Sequence, residues 1–129
     1  MMMNDYYNDI KTNGLLAEFK YLDSSKEFFW TPPGYSTFIR YDSVANILRS
    51  NAAGFKSIEN TWDTLEIQPA SERLAFYTAS ITSRVTDTSG KITLTKLFEV
   101  GGVIKRKDGW KLLSGETSIV PQTNEPDKK

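Results

Sequence analysis

Three stretches with strand-like alternation, 14 to 16 residues long, fill the second half of this chain and leave few folds open to it. They run over 55–68, 73–86 and 91–106, and a shorter one follows over 110–120. A side-chain period of two marks a strand with one buried face. Strands in globular proteins average about 5–6 residues, and a flat sheet of strands this long would leave one whole face in water. The pair Gly101-Gly102 falls inside the third stretch. Glycine in a strand interior marks a bulge or a bend, so the pattern predicts a strongly curved antiparallel meander. Breaks at Pro69-Ala70-Ser71, Asp87-Thr88-Ser89-Gly90 and Lys107-Asp108-Gly109 separate the strands. The last is a hairpin signal, because Asp-Gly accepts the positive φ of a type I′ turn. Over 73–86 the odd positions Ala75, Tyr77, Ala79, Ile81 and Val85 form an apolar face. Thr78, Ser80, Thr82 and Arg84 form the polar one, with Leu74 and Phe76 as apolar exceptions.

The first half reads as helical, with one short strand. Asn4 or Asp5 caps a segment carrying Tyr6, Tyr7 and Ile10, and Asn13-Gly14 stops it. Leu15, Leu16, Phe19 and Leu22 then recur at helical spacing, as far as Asp23-Ser24-Ser25. Glu27–Trp30 is a short apolar strand, broken by Thr31-Pro32-Pro33-Gly34. Asp42 or Ser43 caps a further helix with Val44, Ile47 and Leu48 on one face, and Gly54 lies just past its end. Helices first and a meander afterwards is an α+β order. The expected architecture is a cone, in which two to three N-terminal helices close the concave face of the curved sheet. One domain is expected over residues 1–121, with a flexible polar tail over 122–129.

Composition removes whole classes of chemistry. The chain has no Cys and no His, which excludes thiol nucleophiles, thiolate and imidazole metal sites, and acid–base schemes built on imidazole. No metal and no cofactor is expected. Sixteen basic and sixteen acidic residues cancel, whereas phosphate binding asks for a basic excess or stripe. Lys105-Arg106-Lys107 sits at a hairpin tip and reads as a solvated turn, so no nucleic-acid partner is expected. No apolar run approaches the ~20 residues of a membrane helix. Met1-Met2-Met3 leads straight into polar Asn4-Asp5, with no signal peptide visible. A cytoplasmic location is the default expectation, with secretion left open.

Three features together resemble the nuclear-transport-factor-2-like superfamily, in particular its SnoaL-like and calcium/calmodulin-kinase-association-like branches. They are the order of elements, the segment Phe28-Phe29-Trp30-Thr31-Pro32-Pro33-Gly34 before a capped helix, and the ending Lys107-Asp108-Gly109-Trp110-Lys111 followed by alternation to Thr117-Ser118. The resemblance covers roughly residues 5–120 and implies a cystatin-like cone. Members use that cone for isomerisation, cyclisation, dehydration, epoxide hydrolysis or no chemistry at all. This chain departs from the enzymatic patterns. Trp30-Thr31 precedes Pro32 where the isomerase branch carries a carboxylate base, and Ser114 and Glu116 stand where many SnoaL-like members carry two histidines.

An aromatic set is available to line the cone: Tyr7, Phe19, Phe28, Trp30, Tyr35, Tyr41, Trp62, Tyr77, Phe98 and Trp110. Of these, Phe19, Trp30, Tyr35, Trp62 and Tyr77, with Ser114 and Glu116, are the expected ligand contacts. Glu99 is the candidate general acid or base, with Glu18 and Glu116 as further acids, because a carboxyl in an apolar pocket has a raised pKa. The phase around Glu99 is ambiguous, since Ile92 and Leu94 favour the opposite face. Three functions stay open. The first is binding of a small apolar or aromatic ligand, and the second is isomerase, cyclase or dehydratase chemistry on a pocket Glu. The third is a non-catalytic dimerisation or interaction module. Homodimerisation through the outer sheet face accords with the family, and Phe76 lies on that face.

Overall fold

Helix α1 (Met2–Asn13) places Met3, Tyr6, Tyr7 and Ile10 on one buried stripe. Gly14 ends it with a φ of 92°, a backbone conformation that favours glycine, and its N–H bonds back to the Ile10 carbonyl. The computed structural model describes residues 2–121, and the tail expected over 122–129 lies outside them. The expected second helical stripe is a 3₁₀ segment, Leu15–Tyr21. A 3₁₀ rise of about 2.0 Å per residue, against about 1.5 Å in an α-helix, carries these seven residues further. That reach brings Leu22 to a bridge with Leu112 and the Asp23 N–H to the Leu112 carbonyl at 2.9 Å. Arg106 fixes the far side of this junction, bonding Asp23 through Nε at 2.8 Å and a terminal nitrogen at 3.1 Å. Asp23 is buried, and the guanidinium holds its carboxyl below the usual range.

Strand β1 is Phe29–Thr31, later than the expected Glu27–Trp30. It starts where partners exist, since Trp30 pairs with Gly115 on one side and bridges Ile39 on the other. Helix α2 (Tyr41–Gly54) begins before both expected caps and has no side-chain cap, and Gly54 is inside it rather than past its end. Tyr41 is drawn into the helix by packing, its ring edge-on to Phe28 and Phe19. The meander follows as β2 (Phe55–Pro69), β3 (Leu74–Asp87), β4 (Ile92–Arg106) and β5 (Gly109–Ile119). All are within a residue of the sequence reading, because Pro69, Gly90 and Gly109 punctuate them unambiguously. The sheet is curved and open, in the order β1-β5-β4-β3-β2. Among the described strands, only β1 pairs parallel to its neighbour. Among the described residues, no helix is long and apolar enough to cross a membrane.

Two features set which side chains face the helices. An extra residue at Asp63 shifts the phase of β2, so that Ile58, Asn60 and Trp62 face inward before it and Leu65 after it. The second shift is not at Gly101-Gly102. It lies on the facing strand, where Gly102 pairs Ser114 and Val103 pairs Leu112, leaving Leu113 as the extra residue of β5. One added residue exchanges inner and outer faces for everything after it.

Candidate functional site

Strand β4 alternates through Phe98, Glu99 and Val100, and the sheet turns Glu99 toward the helices and the other two outward. Glu99 is only 8% exposed. An isolated buried carboxylate is costly, so its oxygens need donors. The Tyr77 hydroxyl donates to Oε2 at 2.5 Å and the Thr117 hydroxyl donates to Oε1 at 2.8 Å. Trp30 donates its indole N–H to Thr117 Oγ1 at 2.9 Å. Two glycines make these approaches possible. A Cβ on Gly101 would stand 2.8 Å from the Tyr77 ring, and one on Gly115 would stand 2.7 Å from the Trp30 ring. Gly101 of the mid-strand pair therefore clears space for an aromatic ring rather than forming the bulge itself.

Glu18, on the 3₁₀ segment, lines the same small cavity as Glu99, with Tyr6, Phe28, Trp30 and Thr117. The cavity holds about 70 Å³. That is room for roughly two waters at about 30 Å³ each, against about 300–1,000 Å³ for a typical ligand site. Among the described residues, no Lys or Arg lines it. Burial pushes the Glu18 carboxyl up, the charge on Glu99 adds to this, and the Tyr6 hydroxyl pulls the other way, leaving it at about 7. Burial also raises Glu99, opposed by the hydroxyls of Tyr77 and Thr117. The phenol of Tyr77 is pushed up by its burial and then by Glu99.

Tyr77 also lines a larger recess of about 420 Å³ on the concave side. Met3, Ile67, Ala75, Val103 and Trp110 make most of its wall, which is almost entirely apolar. The tyrosine thus has its ring on an apolar recess and its hydroxyl on a buried carboxyl.

The other expected contacts are scattered. Trp62 stacks on Tyr7 with ring centres 4.0 Å apart and donates its N–H to the Met3 carbonyl, which makes it a support for α1. Phe19 packs against Tyr41 under the Arg49 guanidinium and lines a separate, mostly polar recess of about 440 Å³ with Asp23 and Arg106. Tyr35 is exposed in the loop after Gly34, and Phe98 is exposed on the convex face. Ser114 and Glu116 also face the convex side, beside Phe29, Phe76 and Val100. Their expected inward phase holds through Leu112 and is lost at the extra Leu113, which turns Gly115 and Thr117 inward instead. Thr117 and Tyr6 are the site residues that sequence reasoning passed over. For Thr117 the available signal was the spacing Gly115-x-Thr117 opposite an indole. Among the described residues, no three acidic side chains gather as metal ligands would.

No protein-family model matches this sequence, and no curated protein matches it. Solved structures do. A nuclear-transport-factor-2-like superfamily protein from Salmonella enterica serovar Typhimurium superposes with a TM-score of 0.75 at 16% identity, covering 98% of this chain and 92% of its own. A protein with a cystatin-like fold from Caulobacter vibrioides gives 0.69 at 13%, covering 92% and 84%. A type 2 hexachlorocyclohexane dehydrochlorinase gives 0.69 at 8%, covering 98% and 88%. Identities this low carry the fold and leave the chemistry to the site.

Proposed function

We propose that this chain, which has the fold of the nuclear-transport-factor-2-like superfamily, is a small-molecule-binding domain that takes an apolar ligand into the recess beside Tyr77. The observation that carries this reading is the recess itself, about 420 Å³ with an apolar wall, a size and lining typical of ligand sites. Aromatic side chains fill much of the rest of the cone, Tyr7 on Trp62 and Phe28 beside Trp30. The recess of similar volume beside Phe19 is mostly polar, which favours the apolar recess for an apolar ligand body. The test is titration with 8-anilinonaphthalene-1-sulfonate, comparing the parent chain with Ile67→Lys. Ile67 is 36% exposed on the free edge of the sheet, so the fold should survive the change. Saturable binding weakened roughly tenfold is expected, in line with the loss of one apolar contact of about 1.5 kcal/mol. No binding by the parent, or equal binding by both, refutes the recess.

A second reading is acid–base chemistry of the isomerase, cyclase or dehydratase kind. It is favoured by two carboxyls, Glu18 and Glu99, on the wall of one cavity. Turnover of any substrate that disappears in Glu99→Gln while the fold is kept would support it. Intact turnover in that variant would remove Glu99 from the reaction.

A further inference from the structure

The two carboxyls of the small cavity are not equivalent. Both oxygens of Glu99 are occupied as acceptors, Oε2 by Tyr77 and Oε1 by Thr117. Thr117 has a single hydroxyl proton, and Trp30 fixes where it goes. The indole N–H can only donate, so Thr117 Oγ1 accepts it and turns its own proton to Glu99. A carboxyl that receives two hydroxyl protons is stabilised as the anion. Glu18 has one opposing donor, the Tyr6 hydroxyl, and no such relay. It faces the cavity from the 3₁₀ segment, across from the Glu99 charge.

We propose that Glu99 and Glu18 form a divided pair, in which the Trp30–Thr117 relay keeps Glu99 the carboxylate and leaves the proton on Glu18. Trp30 and Thr117 are then positioning residues, acting through Glu99. The titratable groups around the pair agree. From α1 come only the phenols of Tyr6 and Tyr7, and from β3 only the phenol of Tyr77. The residues contributed by β1, α2 and β5 are Trp30, Val44, Leu112 and Thr117, none of which titrates. Among the described residues no cation lines the cavity to allow both acids to ionise, so the second charge meets the first with nothing to offset it. The raised Glu18 carboxyl is what this division requires.

The division has a chemical consequence, which rests on the reading of this cavity as a working site. A substrate group that enters it meets a base and an acid together. One proton leaves the substrate for Glu99 while another passes from Glu18 to the substrate. The pair begins and ends with one proton and one negative charge, so the step is balanced without a further reactant. That suits a proton shift between two positions of one molecule.

The test is a carbon-13 titration of the assigned Glu18 and Glu99 side-chain carboxyls on the unliganded chain. Glu99 should titrate first as pH rises and Glu18 last. In Thr117→Val the Glu99 midpoint should rise by about one pH unit, the effect of losing a hydrogen bond to a charged group. Thr117→Ser, which keeps the hydroxyl, should restore the parent curve. A purely packing role for Thr117 would leave both midpoints in place in Thr117→Val. That result, or Glu18 titrating before Glu99, overturns the proposal. No ligand is present, so failure here leaves the recess standing, and failure of the recess leaves the titration standing.

Discussion

Phe98, Glu99 and Val100 are consecutive, yet the two apolar residues are 45% and 42% exposed and the acid between them is 8% exposed. At this triplet the concave face carries the charge and the convex face the apolar side chains, the reverse of what the residue types ask for. Only one of these problems is solved within the chain. Glu99 is compensated by Tyr77 and Thr117, whereas Phe76, Phe98 and Val100 stay 56%, 45% and 42% exposed. Parity along a strand, not the hydrophobicity of each residue, decides which face a side chain takes. A fold tolerates an inverted triplet when the buried member has donors and the exposed members have somewhere to go. For the exposed members, the proposal is a second copy of this chain on the convex face.

The comparison breaks most sharply in β5. Inserting one residue between Gly115 and Glu116 should exchange the faces of the rest of the strand and withdraw Thr117 from Glu99. A loss on the order of 4 kcal/mol or outright unfolding is expected in denaturant melts. Deleting Leu113 removes only the extra residue and should leave Ser114 opposite Gly102 and Thr117 on Glu99. A deletion variant that loses the Thr117 contact would contradict the bulge account. Smaller, and sharper as a contrast, is a pair of alanines. Gly115→Ala puts a Cβ 2.5 Å from the Val100 carbonyl on the crowded side and should cost about 2–3 kcal/mol. In Gly102→Ala the nearest atom is 3.6 Å away, in the Phe76 ring of the convex side, and the change should stay within about 0.5 kcal/mol. Equal losses in the two variants would mean that the faces are equally packed.

Next in size is pH. The Glu18 carboxyl stands at about 7 in the folded chain, above its unfolded value of about 4.3. Its contribution is therefore fully present below the unfolded value and is lost as pH rises through the folded one. Stability should fall by on the order of 2 kcal/mol between pH 4.3 and pH 7, and Glu18→Gln should flatten that slope. Chemical denaturation across this range reads it, and a parent and variant with parallel slopes would remove Glu18 from the concave account. The smallest effect on stability belongs to the convex side. Phe98→Lys should change it by no more than about 0.5 kcal/mol while abolishing self-association in light scattering. A parent that is monomeric at micromolar concentration would end the second-copy proposal.

The architecture was legible because its signals are local. Pro69, Gly90 and Asp108-Gly109 end strands wherever they occur, and the alternation of Ala75, Tyr77, Ala79 and Ile81 fixes a face without knowledge of the partner. Tertiary contacts decided the rest. Tyr41 enters α2 because of Phe28 and Phe19, and Leu22 ends the 3₁₀ segment because Leu112 is there. The expectation for Glu99 was read on the correct strand but with an uncertain phase, since the outer end of β4 is solvent-exposed at both Ile92 and Leu94 and gives no parity. Ser114 and Glu116 went to the wrong face for a more basic reason. A bulge residue such as Leu113 has no composition of its own, and it is visible only against the strand it faces.

Glu18 is carried by seven residues of 3₁₀ helix, a longer run than this geometry usually sustains. Hydrogen bonds in this geometry are poorer than those of an α-helix, and the segment's ends are held by Gly14 and by the Asp23–Leu112 bond. When Glu18 loses its proton, the least costly relief is to let that one segment open to water and leave the sheet intact. The chain would then respond to rising pH by fraying in one place. Protection of the amide protons of 15–21 against exchange, corrected for the intrinsic pH dependence, should fall above pH 7 while that of β3 and β4 holds.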